Sequence, residues 1–175
     1  ILEARVSTGE PYLMFIDTVN KGLPKELKDK GLKVHHSNLC SEITLPTNEE
    51  RTAVCCLSSV NLEYFDEWSK EELFIEDLMR MLDNTLTKFI RSAPLTMKKA
   101  ITSAESERSV GLGTMGFHSY LQRSGIALQS PMSMGPNLKI FKHIKNKCDA
   151  ANLLLGKERG EAPDLKGTGK RFSHM

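Results

Sequence analysis

The chain has 175 residues, 39% hydrophobic and 26% charged, a balance that fits a folded domain and excludes disordered, coiled-coil and collagen-like classes. Its 24 basic and 22 acidic residues leave a formal net charge of +2 spread along the whole length, so no basic stripe points to nucleic acid. The longest apolar run, Leu153 to Leu155 with its alanine neighbours, is far short of the roughly 20 residues a membrane helix needs, and no signal-peptide pattern opens the sequence. The expectation is a cytoplasmic protein with no membrane and no nucleic-acid partner.

In chain order, the apolar run Tyr12 to Ile16, bounded by Pro11 and Asp17, reads as a short buried strand. Residues 20–36, rich in lysine with two glycines and a proline, read as an exposed connector with a turn of helix around Lys25 to Lys30. Ile43 to Leu45 and Thr52 to Leu57 read as two short strands of a hairpin-like unit, joined by the turn Pro46 to Glu50. Ser69 with Glu72 makes a capping box, and Phe74, Leu78, Met81, Leu82, Leu86, Phe89 and Ile90 recur at helical steps until Pro94. Val110 to Arg123 reads as a helix with a glycine-rich start. A further helix is expected from Asn137, after Pro136, to Gly160, with Leu138, Phe141, Ile144, Cys148, Ala151 and Leu155 on one stripe; Cys148 is then packing. Ile1 at one end and a basic, glycine-rich stretch at the other mark the whole of 1–175 as a single internal segment of a longer chain, its N- and C-terminal parts missing.

Cys40, Cys55, Cys56 and Cys148 form neither a disulfide framework nor a C-x-x-C pattern, so reduced thiols are expected. Asn38, Cys40 and Glu42 stand at alternate positions, which in an extended segment places an amide, a thiol and a carboxylate on one face. A carboxylate beside a thiol disfavours the thiolate, the opposite of what a nucleophilic cysteine needs. The protonated S–H that results suits hydrogen-atom chemistry, with the carboxylate as general base on a hydroxyl. A buried loop cysteine between two solvated polar residues is the alternative, and spacing leaves both open.

The run Ser37 to Ile43 (SNLCSEI), followed by Leu45 to Thr47 (LPT) and Ala53 to Leu62 (AVCCLSSVNL), resembles the active-site signature of class I ribonucleotide reductase large subunits. Arg5 to Gly9, Gly111 to Leu121 and Lys157 to Pro163 resemble that family's segments in the same order. The resemblance implies an α/β fold, part of a ten-stranded α/β barrel with a finger loop carrying the radical cysteine. It implies that Cys40, oxidised to a thiyl, takes the ribose 3′-hydrogen of a nucleoside diphosphate while Glu42 takes the 3′-hydroxyl proton. Asn38, with Ser37, would bind substrate, Leu57 would line the sugar pocket, and Cys55 would be one of the two cysteines that reduce the 2′ position. Cys56, directly after Cys55, departs from the family pattern and is expected to pack on the opposite face.

The implied partners are the remaining large-subunit segments, a radical-generating small subunit with a dinuclear metal and tyrosyl radical, and thioredoxin or glutaredoxin. No cofactor or metal is expected on the segment itself, ATP and deoxynucleotide effectors bind elsewhere in the full subunit, and the segment alone is expected to be inactive. A noncatalytic piece that only completes a split barrel is the alternative.

Three other patterns carry weaker signals. Gly111-x-Gly113-x-x-Gly116 imitates a dinucleotide fingerprint but lacks the preceding strand and the acidic residue about 20 positions on, and a close helix contact is the better account. Gly167 to Lys170 lacks the spacing of a phosphate loop. His35, His36, Cys40, Cys55 and Cys56 contain the donor types for a zinc site.

Overall fold

The computed structural model describes residues 1–174. Its centre is one parallel pair, β1 (Cys56–Asn61) and β2 (Val110–Met115), in register from Cys56 opposite Val110 to Asn61 opposite Met115. Parallel strands need a long crossover, and residues 62–109 supply it with α4 (Phe65–Trp68), α5 (Phe74–Ser92) and α6 (Lys98–Glu107). After β2 come α7 (Phe117–Arg123) and the long α8 (Met134–Arg159), which lies along α5. Ahead of the pair, α1 (Leu2–Thr8), α2 (Ile16–Gly22) and α3 (Lys25–Asp29) lead into a loop, and Leu23, Leu27 and Val34 form a small core of their own there.

Helix α5 turns Ile75, Met79, Leu82 and Leu86 inward, at the three- and four-residue steps of an apolar stripe. They meet Ile140, Ile144, Cys148, Ala151 and Leu155 of α8 and Val60 and Val110 of the strands. Each fully buried Leu, Ile or Met contributes about 1.5–3 kcal/mol. Phe65, 2% exposed, is the aromatic hub, edge-on to Trp68 at 5.0 Å, His143 at 5.5 Å and Tyr120 at 6.2 Å.

One carboxylate ties these layers together. Asp83 on α5 is fully buried. Its Oδ1 accepts from Arg108 Nη2 at 2.6 Å and Nε at 3.0 Å and from Arg171 Nε at 3.0 Å, and its Oδ2 accepts from Arg159 Nη1 at 2.7 Å. Three guanidiniums against one carboxylate are tolerable because two helices end here. Arg108 follows the last residue of α6, Arg159 is in the last turn of α8, and Arg171 Nη1 donates to the carbonyls of Arg159 and Gly160. Burial alone would push the Asp83 carboxyl up, but the arginine hydrogen bonds outweigh it and hold it below the usual carboxylate range.

A second clamp joins the N-terminal part to the rest: Asp164 receives Arg51 Nη1 at 2.5 Å and Lys30 Nζ at 2.9 Å. Gly156 lets the C-terminal segment lie against α8, since a Cβ there would stand 2.0 Å from the Gly169 carbonyl oxygen.

The structure corrects several expectations. Tyr12 to Ile16 is not a strand: Tyr12, Leu13 and Phe15 are exposed and Ile16 opens α2. The 43–57 hairpin is absent, with only an isolated Asn48–Arg51 bridge at the turn, because the second run pairs with distant β2 and begins at Cys56. Val110 to Arg123 is a strand and then a helix, divided at Gly116 with φ +79°. Ser69 closes α4 and caps nothing at α5, whose N-cap is Leu73. Helix α8 starts at Met134, with Pro136 in its first turn where no N–H is needed, and Leu138 and Phe141 are exposed because the buried stripe runs through Ile140. On α5, Met81 is exposed while Met79 is buried.

Replacing Asp83 with Asn should lower unfolding stability by about 3–5 kcal/mol in urea titrations, since it strands buried arginines. The folded-state pKa of Asp83 is depressed, so its stabilisation is present above the unfolded carboxylate pKa and is lost as pH falls through the folded value; the variant should therefore show a weaker loss of stability in acid. Gly156→Ala should cost about 1–3 kcal/mol by forcing the 169–171 backbone away from α8.

Candidate active site

The segment 37–43 is a closed turn rather than an extended stretch. Asn38 N–H donates to the Ile43 carbonyl at 3.4 Å, Ile43 N–H donates to Asn38 Oδ1 at 3.1 Å, and Ser41 N–H donates to the Asn38 carbonyl at 3.2 Å. Ser41 takes φ +67° to make the bend. Asn38 Nδ2 then reaches Glu42 Oε1 at 2.7 Å. The amide and carboxylate do converge, but across the neck of a turn and not by strand alternation. Cys40 is exposed at the tip beside Leu39, which is 89% exposed.

Two cavities flank the chain between this turn and β1. One, of about 390 Å³, is lined by Glu42, Cys55, Leu57, Ser109, Gly111 and His174 among others. The other, of about 470 Å³, is lined by His35, His36, Ser37, Asn38, Arg51 and Cys55 among others. Cys55 borders both, so the fold brings Glu42, Cys55 and Leu57 to one space and Ser37, Asn38 and Cys55 to the other. Cys40 lines neither cavity.

The floor of the first cavity explains the glycine motif. Opposite Leu57 and Ser59 on β1 stand Gly111 and Gly113 on β2. A Cβ at Gly111 would lie 2.4 Å from Leu57 Cδ2 and 3.6 Å from Cys55 Sγ, and one at Gly113 would lie 2.9 Å from Ser59 Oγ. The glycines make room between strands, not for a helix contact. Cys56 packs against the hydrophobic core, on the face away from this cavity.

Around Cys55, Ser109 Oγ donates to Sγ at 3.7 Å. Burial pushes the Cys55 thiol up, Ser109 pulls it down, and the nearby Cys56, Glu107 and Glu42 push it up further. Glu107, fully buried at the end of α6, takes Ser103 Oγ on Oε1 at 2.7 Å, while its Oε2 has no partner among the described residues. Burial pushes its carboxyl up to about 7, against the Ser103 hydrogen bond and the Arg51 charge. Burial also holds the His174 imidazole below its usual value. Ser109, Glu107 and His174 carry no motif of their own, and sequence reading passed over them. Among the described residues no group of three or more His, Cys, Asp or Glu side chains is placed to hold a metal, so the zinc donors are not gathered.

Because the folded-state pKa of Glu107 is raised, the fold favours the neutral carboxyl over the charged one. Its destabilising effect is absent below the unfolded pKa, grows as pH rises through the window from 4.5 to about 7, and is then constant. Glu107→Gln should remove a penalty on the order of 3 kcal/mol at pH 8 and little at pH 4; equal effects at both pH values in urea unfolding would contradict this. Gly111→Ala should slow alkylation of Cys55 by small reagents, read by mass spectrometry, because the methyl drives Leu57 toward the cavity.

The family model described as "Ribonucleotide reductase, barrel domain" matches residues 1–174. The ribonucleoside-diphosphate reductase large subunit of Invertebrate iridescent virus 3 is 53% identical over 175 residues, all of this chain and 28% of the relative. The ribonucleoside-diphosphate reductase subunit alpha of Chlamydia muridarum is 34% identical over 173 residues, 96% of this chain and 16% of the relative. The chain therefore spans less than a third of these curated relatives. Among solved structures, the Actinobacillus ureae class Id ribonucleotide reductase alpha subunit superposes with a TM-score of 0.92 at 43% identity, over 98% of this chain and 33% of that one. With the matched family covering residues 1–174 and the parallel pair, glycine floor and SNLCSEI turn in place, the chain belongs to the ribonucleotide reductase barrel-domain family.

Proposed function

We propose that this chain is the part of a ribonucleoside-diphosphate reductase large subunit that holds the radical cysteine and one of the two reducing thiols. The observation that carries the reading is the Asn38–Glu42 hydrogen bond at 2.7 Å. It closes the turn that bears Cys40 at its tip and leaves Glu42 beside the cavity shared by Cys55 and Leu57.

The chemistry follows from these groups. A radical equivalent from a small subunit, which would supply a dinuclear metal and a tyrosyl radical, removes the hydrogen atom of Cys40 S–H and leaves a thiyl. The thiyl takes the hydrogen atom from ribose C3′, and the Glu42 carboxylate takes the proton of the 3′-hydroxyl. Asn38 fixes Glu42 and, with Ser37, offers hydrogen bonds to the substrate. The 2′-hydroxyl leaves as water, and Cys55 and a partner thiol together supply two electrons and two protons, ending as a disulfide. Cys40 then returns the hydrogen atom to C3′ and is again a thiyl, Glu42 returns the proton to the 3′-oxygen, and the radical equivalent passes back to the small subunit as Cys40 regains S–H. Thioredoxin or glutaredoxin reopens the disulfide, the remaining large-subunit segments complete the barrel, and a cytoplasmic setting keeps the thiols reduced. No described helix is long and apolar enough to cross a membrane.

The test is nucleoside diphosphate reduction by the large subunit containing this segment, together with a small subunit and reductant. Cys40→Ser should bring activity to background, and Glu42→Gln should lower kcat by about 10²–10⁴-fold. Activity that survives Cys40→Ser overturns the assignment. An assembled but inactive native chain would favour a structural piece that only completes the barrel.

A further inference from the structure

We propose that Ser109 and Glu107 are positioning residues for the Cys55 thiol: Ser109 holds the sulfur by a hydrogen bond, and Glu107 sets the charge beside it through its own proton. The functional weight of this rests on the reading of Cys55 as a redox thiol; the geometry stands apart from it.

Both groups flank the turn between α6 and β2, Glu107 as the last residue of α6 and Ser109 just ahead of β2. Arg108, in the left-handed conformation with φ +46°, turns the chain there, and its side chain is fixed on Asp83. That clamp sets the residues on either side. Ser109 points across to β1, its Oγ 3.7 Å from Cys55 Sγ. Glu107 is 0% exposed, with one oxygen on Ser103 Oγ at 2.7 Å and the other without a partner among the described residues.

The surroundings leave Glu107 to act on Cys55. Asp164 and Arg51 also act on it, but Arg51 is bound to Asp164 at 2.5 Å, and Lys30 adds a second cation to that carboxylate at 2.9 Å. Arg108 is committed to Asp83. Cys55 is bonded by Ser109 and acted on by the charges of Cys56, Glu107 and Glu42, with Glu42 and His174 in one cavity it borders and His35, His36 and Arg51 in the other. In acid Glu107 is neutral and the Ser109 hydroxyl governs the sulfur. As pH rises through about 7, where burial has placed the Glu107 carboxyl, a buried negative charge appears near Cys55 and opposes thiolate formation. That charge adds to burial in raising the Cys55 thiol, so its thiolate is disfavoured in the range where an isolated thiol would begin to form one.

The experiment is the pH–rate profile of iodoacetamide alkylation at Cys55, followed peptide by peptide by mass spectrometry on the intact folded chain, with circular dichroism as the check on folding. Glu107→Gln should shift the midpoint to lower pH and speed alkylation at pH 8 by about two- to tenfold. Ser103→Ala, which removes the hydrogen bond favouring the Glu107 carboxylate, should move the midpoint in the same direction; it also tests the idea if Glu107→Gln fails to fold. Ser109→Ala should move it the other way. Folded variants whose Cys55 midpoints all match the native chain overturn the proposal. Since alkylation needs no turnover, a chain that shows the shifts but reduces no nucleotide when assembled in the large subunit with a small subunit and reductant keeps this proposal and rejects the reductase reading alone.

Discussion

The fold depends on a single buried carboxylate. Asp83 sits in the middle of α5, where the helical repeat turns it toward the core, and it gathers arginines from the end of α6, the end of α8 and the C-terminal segment. An aliphatic residue there would fill the volume and leave three guanidiniums without an anion. An isolated carboxylate there would be expelled or neutralised. Only the combination is stable, and it fixes four separate pieces of chain relative to one another.

The candidate active site inherits its geometry from that clamp. Arg108 is the hinge between α6 and β2, so holding its side chain sets where β2 starts and therefore how Gly111 and Gly113 lie opposite Leu57 and Ser59. The missing side chains on β2 open the cavity that Cys55 and Glu42 share. On its other side the Arg51–Asp164 pair anchors the loop leading into β1, the same loop that carries the Asn38–Glu42 turn. Two charge clusters, one built on Arg51 ahead of β1 and one on Arg108 ahead of β2, thus fix the strand starts beside Cys55.

Sequence reading reached the family more readily than the architecture. SNLCSEI and AVCCL are short, ordered motifs that carry the resemblance, so Asn38, Cys40, Glu42 and Cys55 stand out as candidates in a single chain. The long periodic helices α5 and α8 were legible for the same reason: their apolar steps repeat over several turns. The parallel pair was not, because its partners are about 54 residues apart in register (Cys56 with Val110) and no local pattern encodes a distant ladder. The glycines of β2 read as a helix start because their purpose, room for Leu57 and Ser59, exists only after pairing. Helix α6 buries two alanines, a serine and Glu107 rather than a leucine stripe, which leaves almost no periodic signal. Glu107 was illegible in principle: a glutamate at a helix end reads as solvated until the fold closes over it.

In the proposed function two thiols divide the labour, Cys40 handling hydrogen atoms and Cys55 handling electron pairs. A single turnover of the assembled reductase without external reductant, followed by quench and disulfide mapping, tests that division directly. The account predicts about one deoxynucleotide per active site, with Cys55 in a disulfide and Cys40 recovered as a free thiol. A disulfide containing Cys40, or product formed with Cys55 still reduced, would contradict it.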